Sequence, residues 1–201
     1  MHLSIYLAGT IKKGHEDLNE SCWTEEDLEA IRKSLPECTV HFLNPAVRAD
    51  DLGVQASVFG RDMCQVFSSD LVFADVRERR GRGVGAEIMW AKMHRIPVVM
   101  WAPANSHYRK DKAMVLNTQV SGWTHPFVER LADAIVESTA EGAAWIRDHL
   151  LQPGFVARGY EEIQADMQTY LETQFHQDLP MLEIAPFNHK LRARAGQLAE
   201  V

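Results

Sequence analysis

Short apolar runs alternate with amphipathic segments over roughly the first 100 residues of the chain. The apolar runs predict four strands, over residues 3–8, 39–43, 71–76 and 97–101. Apolar residues at helical spacing between them predict helices over about 25–35, 57–67 and 84–95. Such alternation is typical of a parallel sheet covered by helices on both faces.

We therefore predict an α/β fold, a doubly wound parallel sheet of flavodoxin-like or Rossmann-like form with about five strands. The fifth strand is the weakest of these predictions and falls near Gln119 to Trp123. Parallel strands of this class bind ligands beyond their carboxyl ends. The loops that follow the strands are therefore the first places to search for a site.

The pattern becomes helical after His125. Phe127, Leu131 and Ile135 share one helical stripe, a second helical segment covers residues 144–150, and a third covers about 160–175. Beyond Pro180 the chain is predicted to be extended. We assign residues 1–138 to the α/β core and residues 139–201 to a helical extension with a C-terminal arm.

Two cationic loops that contain glycine follow the first and third strands, namely GTIKKG at residues 9–14 and RERRGRGVG at residues 77–85. Glycines allow the backbone to approach a ligand closely, and a helix N-terminus favours an anion. The second loop leads into a helix whose first turn is predicted to contain Glu87. A carboxylate there is expected to stay ionised and to be a usable nucleophile. The alternative is that Glu87 only stabilises the helix dipole, by about 0.5 kcal/mol.

Asp62 and Tyr6 are the other candidate catalytic residues. Asp62 falls on the apolar stripe of the second helix with Phe59 and Val66, where an acid is costly unless it is paired or functional. The alternative for Asp62 is a structural ion pair with an arginine. Tyr6 lies late in the first strand, where its hydroxyl either faces the cleft or is the satisfied polar end of a core residue.

The segments YLAGTIKKGHEDL, RDMCQVFSSDLVFADV and GVGAEIMWA together resemble the nucleoside 2-deoxyribosyltransferase superfamily, and within it the 2′-deoxynucleoside 5′-phosphate N-hydrolases. The resemblance spans about residues 4 to 103. It implies that Glu87 forms a covalent glycosyl-enzyme, that Asp62 acts beside it, and that Tyr6 holds the nucleophile or the sugar. Water or a second base would then resolve the intermediate, as in retaining glycosidases.

The resemblance also implies a 5′-phosphate site. It places the first loop on the phosphate, through Gly9, Thr10, Ile11 and Lys12. The alternative for Lys12 is a solvated loop lysine. The family carries a serine or aspartate six residues before the nucleophile, where this chain has Gly81 between Arg80 and Arg82.

This departure makes Arg82 a candidate phosphate ligand, together with the glycine backbone at Gly83 and Gly85. Ser106, in the loop after the fourth strand, is a further candidate. The resemblance places a serine of a partner subunit near Lys112, so Lys112 is a candidate contact supplied in trans by a second subunit of a homodimer or larger oligomer.

The predicted function is hydrolysis of the N-glycosidic bond of a (deoxy)ribonucleoside 5′-monophosphate. A transferase that exchanges bases is the nearest alternative. A non-catalytic nucleotide sensor and a structural assembly protein that uses residues 125–201 are alternatives of other classes. The sequence does not identify which base the substrate carries or whether its sugar has a 2′-hydroxyl.

The composition further limits the classes of protein to which the chain can belong. The net charge of −7 argues against binding of a nucleic-acid duplex but leaves room for a small anionic ligand. Nine histidines without HExxH spacing and three cysteines without CxxC spacing suggest neither a metal nor a disulfide framework, and no cofactor is expected. We expect neither a signal peptide nor a membrane span, because the N-terminal apolar run is short and no stretch approaches about 20 apolar residues, and we expect a cytoplasmic protein.

Overall fold

The computed structural model describes residues 1–13, 19–79 and 81–196, without the side chains of residues 12, 13, 19, 20 and 194–196. The strands are β1 His2–Ala8, β2 Ile11–Lys13, β3 Asn19–Ser21, β4 Thr39–Leu43, β5 Leu71–Asp75, β6 Val98–Trp101, β7 Arg109–Val115, β8 Thr118–Thr124 and β9 Ala134–Val136. The helices are α1 Glu25–Ser34, α2 Gln55–Phe67, α3 Arg82–Met93, α4 Pro126–Leu131, α5 Thr139–Trp145, α6 Tyr160–Thr173, α7 Leu179–Ile184 and α8 His189–Gly196.

The central sheet has five strands in the order β4-β1-β5-β6-β9, and all of its pairings are parallel. The predicted doubly wound α/β fold is confirmed. The chain leaves β1 on one side to form β4 and returns on the other side to form β5. The carboxyl ends of β1 and β5 therefore lie at the switch point of the sheet, where ligands bind in folds of this class.

Side chains alternate between two apolar layers, because both faces of the sheet are buried. Tyr6 and Ala8 point to the layer that contains Val66 of α2 and Val84 of α3. The opposite layer contains Leu7 and Phe73 and is closed by α1 and α5. Tyr6 is thus directed from β1 toward the two helices that carry Asp62 and Glu87.

The fifth strand is not the one predicted. Residues 119–123 lie in β8, which pairs with β7 as an antiparallel hairpin outside the central sheet. The fifth strand is β9, whose Ile135 was assigned to a helical stripe. The stripe fails because α4 ends at Leu131, and a strand of three residues is too short to show a period.

The segment after Pro180 is helical rather than extended. Pro180 lies in the first turn of α7, where a proline is tolerated because the first amides of a helix have no partner within it. The Asp178 side chain accepts a bond from the amide of Met181. Asn188 accepts bonds from the amides of Lys190 and Leu191 at the start of α8.

Contacts divide the chain into a unit Met1–Gly159 and a unit that begins at Tyr160. The boundary of the core predicted from the sequence lies at residue 138. Helix α5 packs on α1 and contributes Ala143 to the buried layer that also contains Phe73, so α5 belongs to the first unit.

In the second unit, the Tyr170 hydroxyl donates a hydrogen bond to the Asp178 carboxylate at 2.7 Å.

A buried ion pair fixes α3 against the sheet. Lys92 of α3 is 1% exposed and is paired with Asp133, whose side chain is 4% exposed. Asp133 also accepts hydrogen bonds from the amides of Val98 and Arg158, both at 2.7 Å. The carboxylate therefore joins the helix that carries Glu87 to the start of β6.

We expect Asp133→Asn to lower the free energy of unfolding by about 3–5 kcal/mol, because the variant leaves a buried ammonium group without its counter-charge. Urea denaturation measures the change. Glu25→Gln, which disrupts an exposed pair with Arg32, is the control and should change stability by no more than about 1 kcal/mol. Equal losses of stability in the two variants would contradict the conclusion that Asp133 fixes α3 to the start of β6.

Candidate active site

Tyr6 enters the site from the centre of the sheet. It is fully buried, and its backbone pairs with Leu43 on one side and Val72 on the other. Burial is the largest cause that raises the pKa of its hydroxyl, followed by the charges of Glu87 and Asp62. The hydroxyl therefore stays protonated and is available as a donor.

Glu87 lies in the second turn of α3, because the helix begins at Arg82 rather than near Val84. The expectation that a helix N-terminus keeps this carboxyl ionised is wrong. The pKa of Glu87 is raised to about 7, because burial and the charge of Asp62 together outweigh a hydrogen-bonding interaction with Tyr6 that lowers it. Near neutral pH the side chain is close to its titration midpoint.

Asp62 reaches the same region from α2, and its side chain is 20% exposed. The predicted stripe is only partly buried, because Val66 is buried whereas Phe59 is 64% exposed. Burial raises the pKa of Asp62, and the charges of Arg48 and Arg61 oppose that shift. Asp62 is thus paired with two arginines, which is the alternative predicted for it from the sequence.

The three side chains act on one another. The charges of Glu87 and Asp62 both raise the pKa of Tyr6, and the charge of Asp62 raises the pKa of Glu87. Tyr6 Oη, Asp62 Oδ1 and Glu87 Oε2 are all buried, and among the described residues none makes a hydrogen bond of regular geometry. Buried polar atoms are usually bonded, and Asp62 Oδ1 is approached by arginine nitrogens only at ion-pair distance, so the three oxygens are candidates for contact with a ligand.

Two arginines and an aspartate around Asp62 were missed by the sequence analysis. Arg48 Nη1 lies 3.5 Å and Arg61 Nη1 lies 3.6 Å from Asp62 Oδ1. Asp50 binds Arg48 through two hydrogen bonds of 2.8 and 2.7 Å. The sequence indicates a role for Arg48 and Asp50 only through their position. They follow the second predicted strand, which is β4 in the structure, at the carboxyl edge of the sheet.

The first glycine loop has a structural reason for its glycine. A Cβ at Gly9 would lie 2.3 Å from Cys22 Sγ. The carbonyl of Thr10 accepts a hydrogen bond from Cys22 at 3.0 Å, and Ile11 begins the short strand β2. The backbone of Lys12 lies in β2, but its side chain is outside the described part of the structure.

The remaining candidate binding residues are dispersed. Arg82 and Gly83 are exposed in the first turn of α3, and a Cβ at Gly83 would meet Glu87 Oε1 at 3.4 Å. Ser106 has a buried hydroxyl that makes no hydrogen bond within the described ranges. Lys112 is exposed in β7, opposite Ser121 of β8. Arg80 lies outside the described residues.

An apolar cavity of about 350 Å³ lies beside α3 and α4. Its lining includes Gly85, Ile88 and Met89 from α3, with Tyr108 and His125 as its polar members. Tyr6, Asp62 and Glu87 are not part of the lining. Gly85 therefore faces this cavity, on a different side of α3 from Glu87.

In residues 1–13, 19–79 and 81–196 no group of three or more His, Cys, Asp or Glu side chains is placed to hold a metal ion. Over the same ranges, no helix has the length and apolar character that crossing a membrane requires.

No protein-family model matches the sequence, and no curated protein matches it. Among solved structures, the chain is similar to a 2-deoxyribosyltransferase from the psychrotolerant bacterium Bacillus psychrosaccharolyticus. The identity is 16%, the match covers 70% of this chain and 90% of that chain, and the TM-score is 0.42.

The buried carboxyl of Glu87 predicts a pH-dependent effect of Glu87→Gln on stability. The pKa of Glu87 is about 7 in the folded state, against an ordinary value of 4.5, so the folded protein binds more protons between these values and loses stability as pH rises through them. Glu87→Gln has no titrating carboxyl at this position, so it does not lose this stability as pH rises. Relative to the wild type, it should gain about 3 kcal/mol between pH 4.5 and 8.

Urea unfolding at a series of pH values measures this gain. Glu26→Gln, at an exposed position on α1, corrects for the removal of one negative charge. A difference between Glu87→Gln and wild type that does not change with pH would contradict burial of the Glu87 carboxyl.

Proposed function

We propose that the protein hydrolyses the N-glycosidic bond of a (deoxy)ribonucleoside 5′-monophosphate to free base and sugar 5-phosphate. The observation that carries the proposal is the grouping of Tyr6, Asp62 and Glu87 beside the switch point, with buried oxygen atoms that make no regular hydrogen bond within the described part of the chain. The sequence resemblance to nucleotide N-hydrolases independently assigns functional roles to the same three positions. Two carboxyls and a hydroxyl suffice for a double displacement at the anomeric carbon.

In the first step Glu87 attacks the anomeric carbon. The bond from its oxygen to C1′ forms as the bond from C1′ to the base nitrogen breaks, and the electron pair passes to the base, which takes up a proton. Asp62 assists the departing base by hydrogen bonding or proton transfer. The attack requires the carboxylate form of Glu87, whose fraction rises with pH through about 7.

In the second step water replaces Glu87 at C1′, releases a proton and regenerates the carboxylate. Tyr6 stays protonated because its pKa is raised, and it donates toward Glu87, which orients the nucleophile. This interaction falls short of regular hydrogen-bond geometry in the structure. Contacts of this kind often tighten when a substrate is bound.

The 5′-phosphate is proposed to lie between the first loop and the start of α3. Gly81 is the N-cap of α3 and has no side-chain cap, so the first amides of the helix are available to an anion. Arg82 adds a positive charge there. The proposed phosphate contacts are Gly9, Thr10, Ile11, Lys12, Arg82, Gly83 and Ser106, whereas Gly85 is withdrawn from this set because it faces the apolar cavity on another side of α3.

A base-exchanging transferase would pass through the same glycosyl–Glu87 intermediate and differs only in the acceptor of the second step. A nucleotide sensor would bind without turnover. Incubation with a panel of nucleoside monophosphates, with and without an added base, separates these functions by chromatography. Free base without an acceptor supports hydrolysis, and a new nucleotide that forms only with an acceptor supports transfer.

We expect Glu87→Gln to reduce base release by at least about a thousandfold, because the amide cannot form the glycosyl ester. Glu26→Gln is the matched control and should retain activity. Circular dichroism establishes that both variants are folded. A folded Glu87→Gln variant with wild-type turnover would exclude Glu87 as the nucleophile.

We further propose a homodimer in which Lys112 of one subunit contributes to the phosphate site of the other. Lys112 projects from the exposed hairpin β7–β8, which leaves its ammonium group accessible. Light scattering is expected to give twice the mass of the chain, and Lys112→Gln is expected to raise KM more than it lowers kcat. A monomer that turns over nucleotide would contradict the contribution in trans.

A further inference from the structure

Arg48 is held in a fixed orientation next to Asp62. Its side chain is 8% exposed, and its Nε and Nη2 donate to the two carboxylate oxygens of Asp50 at 2.8 and 2.7 Å. The fork geometry of this pair directs the remaining nitrogen, Nη1, to 3.5 Å from Asp62 Oδ1. Arg48 is therefore oriented by one carboxylate and acts on another.

The loop that carries Arg48 is itself fastened to α2. Asn44 closes a turn at the end of β4, because its side chain accepts from the amide of Ala46 at 2.9 Å and its carbonyl accepts from Val47 at 3.1 Å. Arg61 of α2 then donates to the carbonyl of Val47 at 2.7 Å. The loop and the helix that carries Asp62 are joined by direct bonds.

Charged and titratable groups face Asp62 from four elements. Arg48 and Asp50 approach from the loop after β4, Arg61 from α2, Tyr6 from β1 and Glu87 from α3. Burial raises the pKa of Asp62, and the charge of Arg48 is the largest effect that opposes it. The negative charge of Asp50 raises the pKa, so Asp50 contributes through the orientation of Arg48.

We propose that Arg48, oriented by Asp50, is a positioning residue that keeps Asp62 in its carboxylate form beside Tyr6 and Glu87. The reaction it serves is the one proposed above. Arg61 also lowers the pKa of Asp62, through its charge and a hydrogen-bonding interaction. The positioning role is assigned to Arg48 because its charge has the larger effect and its side chain is 8% exposed, against 25% for Arg61, which also bonds to Gln65 and to the Val47 carbonyl. Partial exposure to solvent weakens a charge interaction.

This assignment separates the two carboxyls of the site by role. Asp62, held charged, accepts hydrogen bonds from the ligand, so of the two forms of assistance proposed above it provides hydrogen bonding, and the proton that the base takes up comes from water. Glu87 titrates near neutral pH, and among the described residues no arginine bonds to its Oε2 or shifts its pKa. Environments that differ in this way are how one site assigns different tasks to two similar groups.

The test measures the titration of the Asp62 carboxyl by ¹³C NMR, with Asp62→Asn used to assign the signal. Arg48→Gln is expected to move the titration midpoint of Asp62 upward by about one pH unit, since an adjacent opposite charge lowers a carboxyl pKa by about 1–3 units and Arg61 remains. Arg48→Lys keeps the charge without the fork and should recover part of that shift. Arg32→Gln, on the exposed surface of α1, is the control.

An unchanged midpoint in folded Arg48→Gln would overturn the proposal. If that variant does not fold, the midpoint of Arg48→Lys decides: an upward shift from wild type supports the role, and no shift overturns it. Base release by wild type and Arg48 variants is measured in parallel. A wild-type protein that releases no base refutes the proposed function, whereas the NMR titration still decides the role of Arg48.

Discussion

The site depends on the burial of two carboxyl groups against a tyrosine hydroxyl. Loss of solvent is the largest cause of the raised pKa of Tyr6, Asp62 and Glu87 alike. A carboxylate removed from water is unfavourable unless cations or donors replace the lost hydration. Arg48 and Arg61 supply the cations at Asp62, whereas Tyr6 is the group that offsets the burial of Glu87. This asymmetry gives two chemically similar side chains different protonation behaviour.

The fold holds these side chains in place through backbone pairing and a buried ion pair. β1 is a central strand and holds Tyr6 through pairing on both sides. α3, which carries Glu87, is secured to β6 by the buried pair of Lys92 and Asp133. Groups that are already oriented need little rearrangement when a reaction begins, which is the main source of electrostatic catalysis in enzymes. The stability of the scaffold and the geometry of the site therefore rest on the same contacts.

Strong periodic patterns made part of this structure predictable. The first four strands of the sheet and the helices between them follow from apolar runs and helical spacing, and so does the doubly wound fold. β9 was not predictable because three residues carry no period. Arg48 and Asp50 were missed because an arginine two residues from an aspartate looks like an ordinary solvated loop. The shifted pKa of Glu87 was also missed, since burial depends on packing that a helix position does not reveal.

The glycine in the first loop shows that a glycine can be required for more than one structural reason. Gly9 suggested close approach to a phosphate, yet the nearest atom to its missing Cβ is the sulfur of Cys22. Any larger residue at position 9 requires a smaller or displaced side chain at position 22. The two positions are consequently expected to covary among relatives, and an alanine at one site would be accompanied by loss of the thiol at the other.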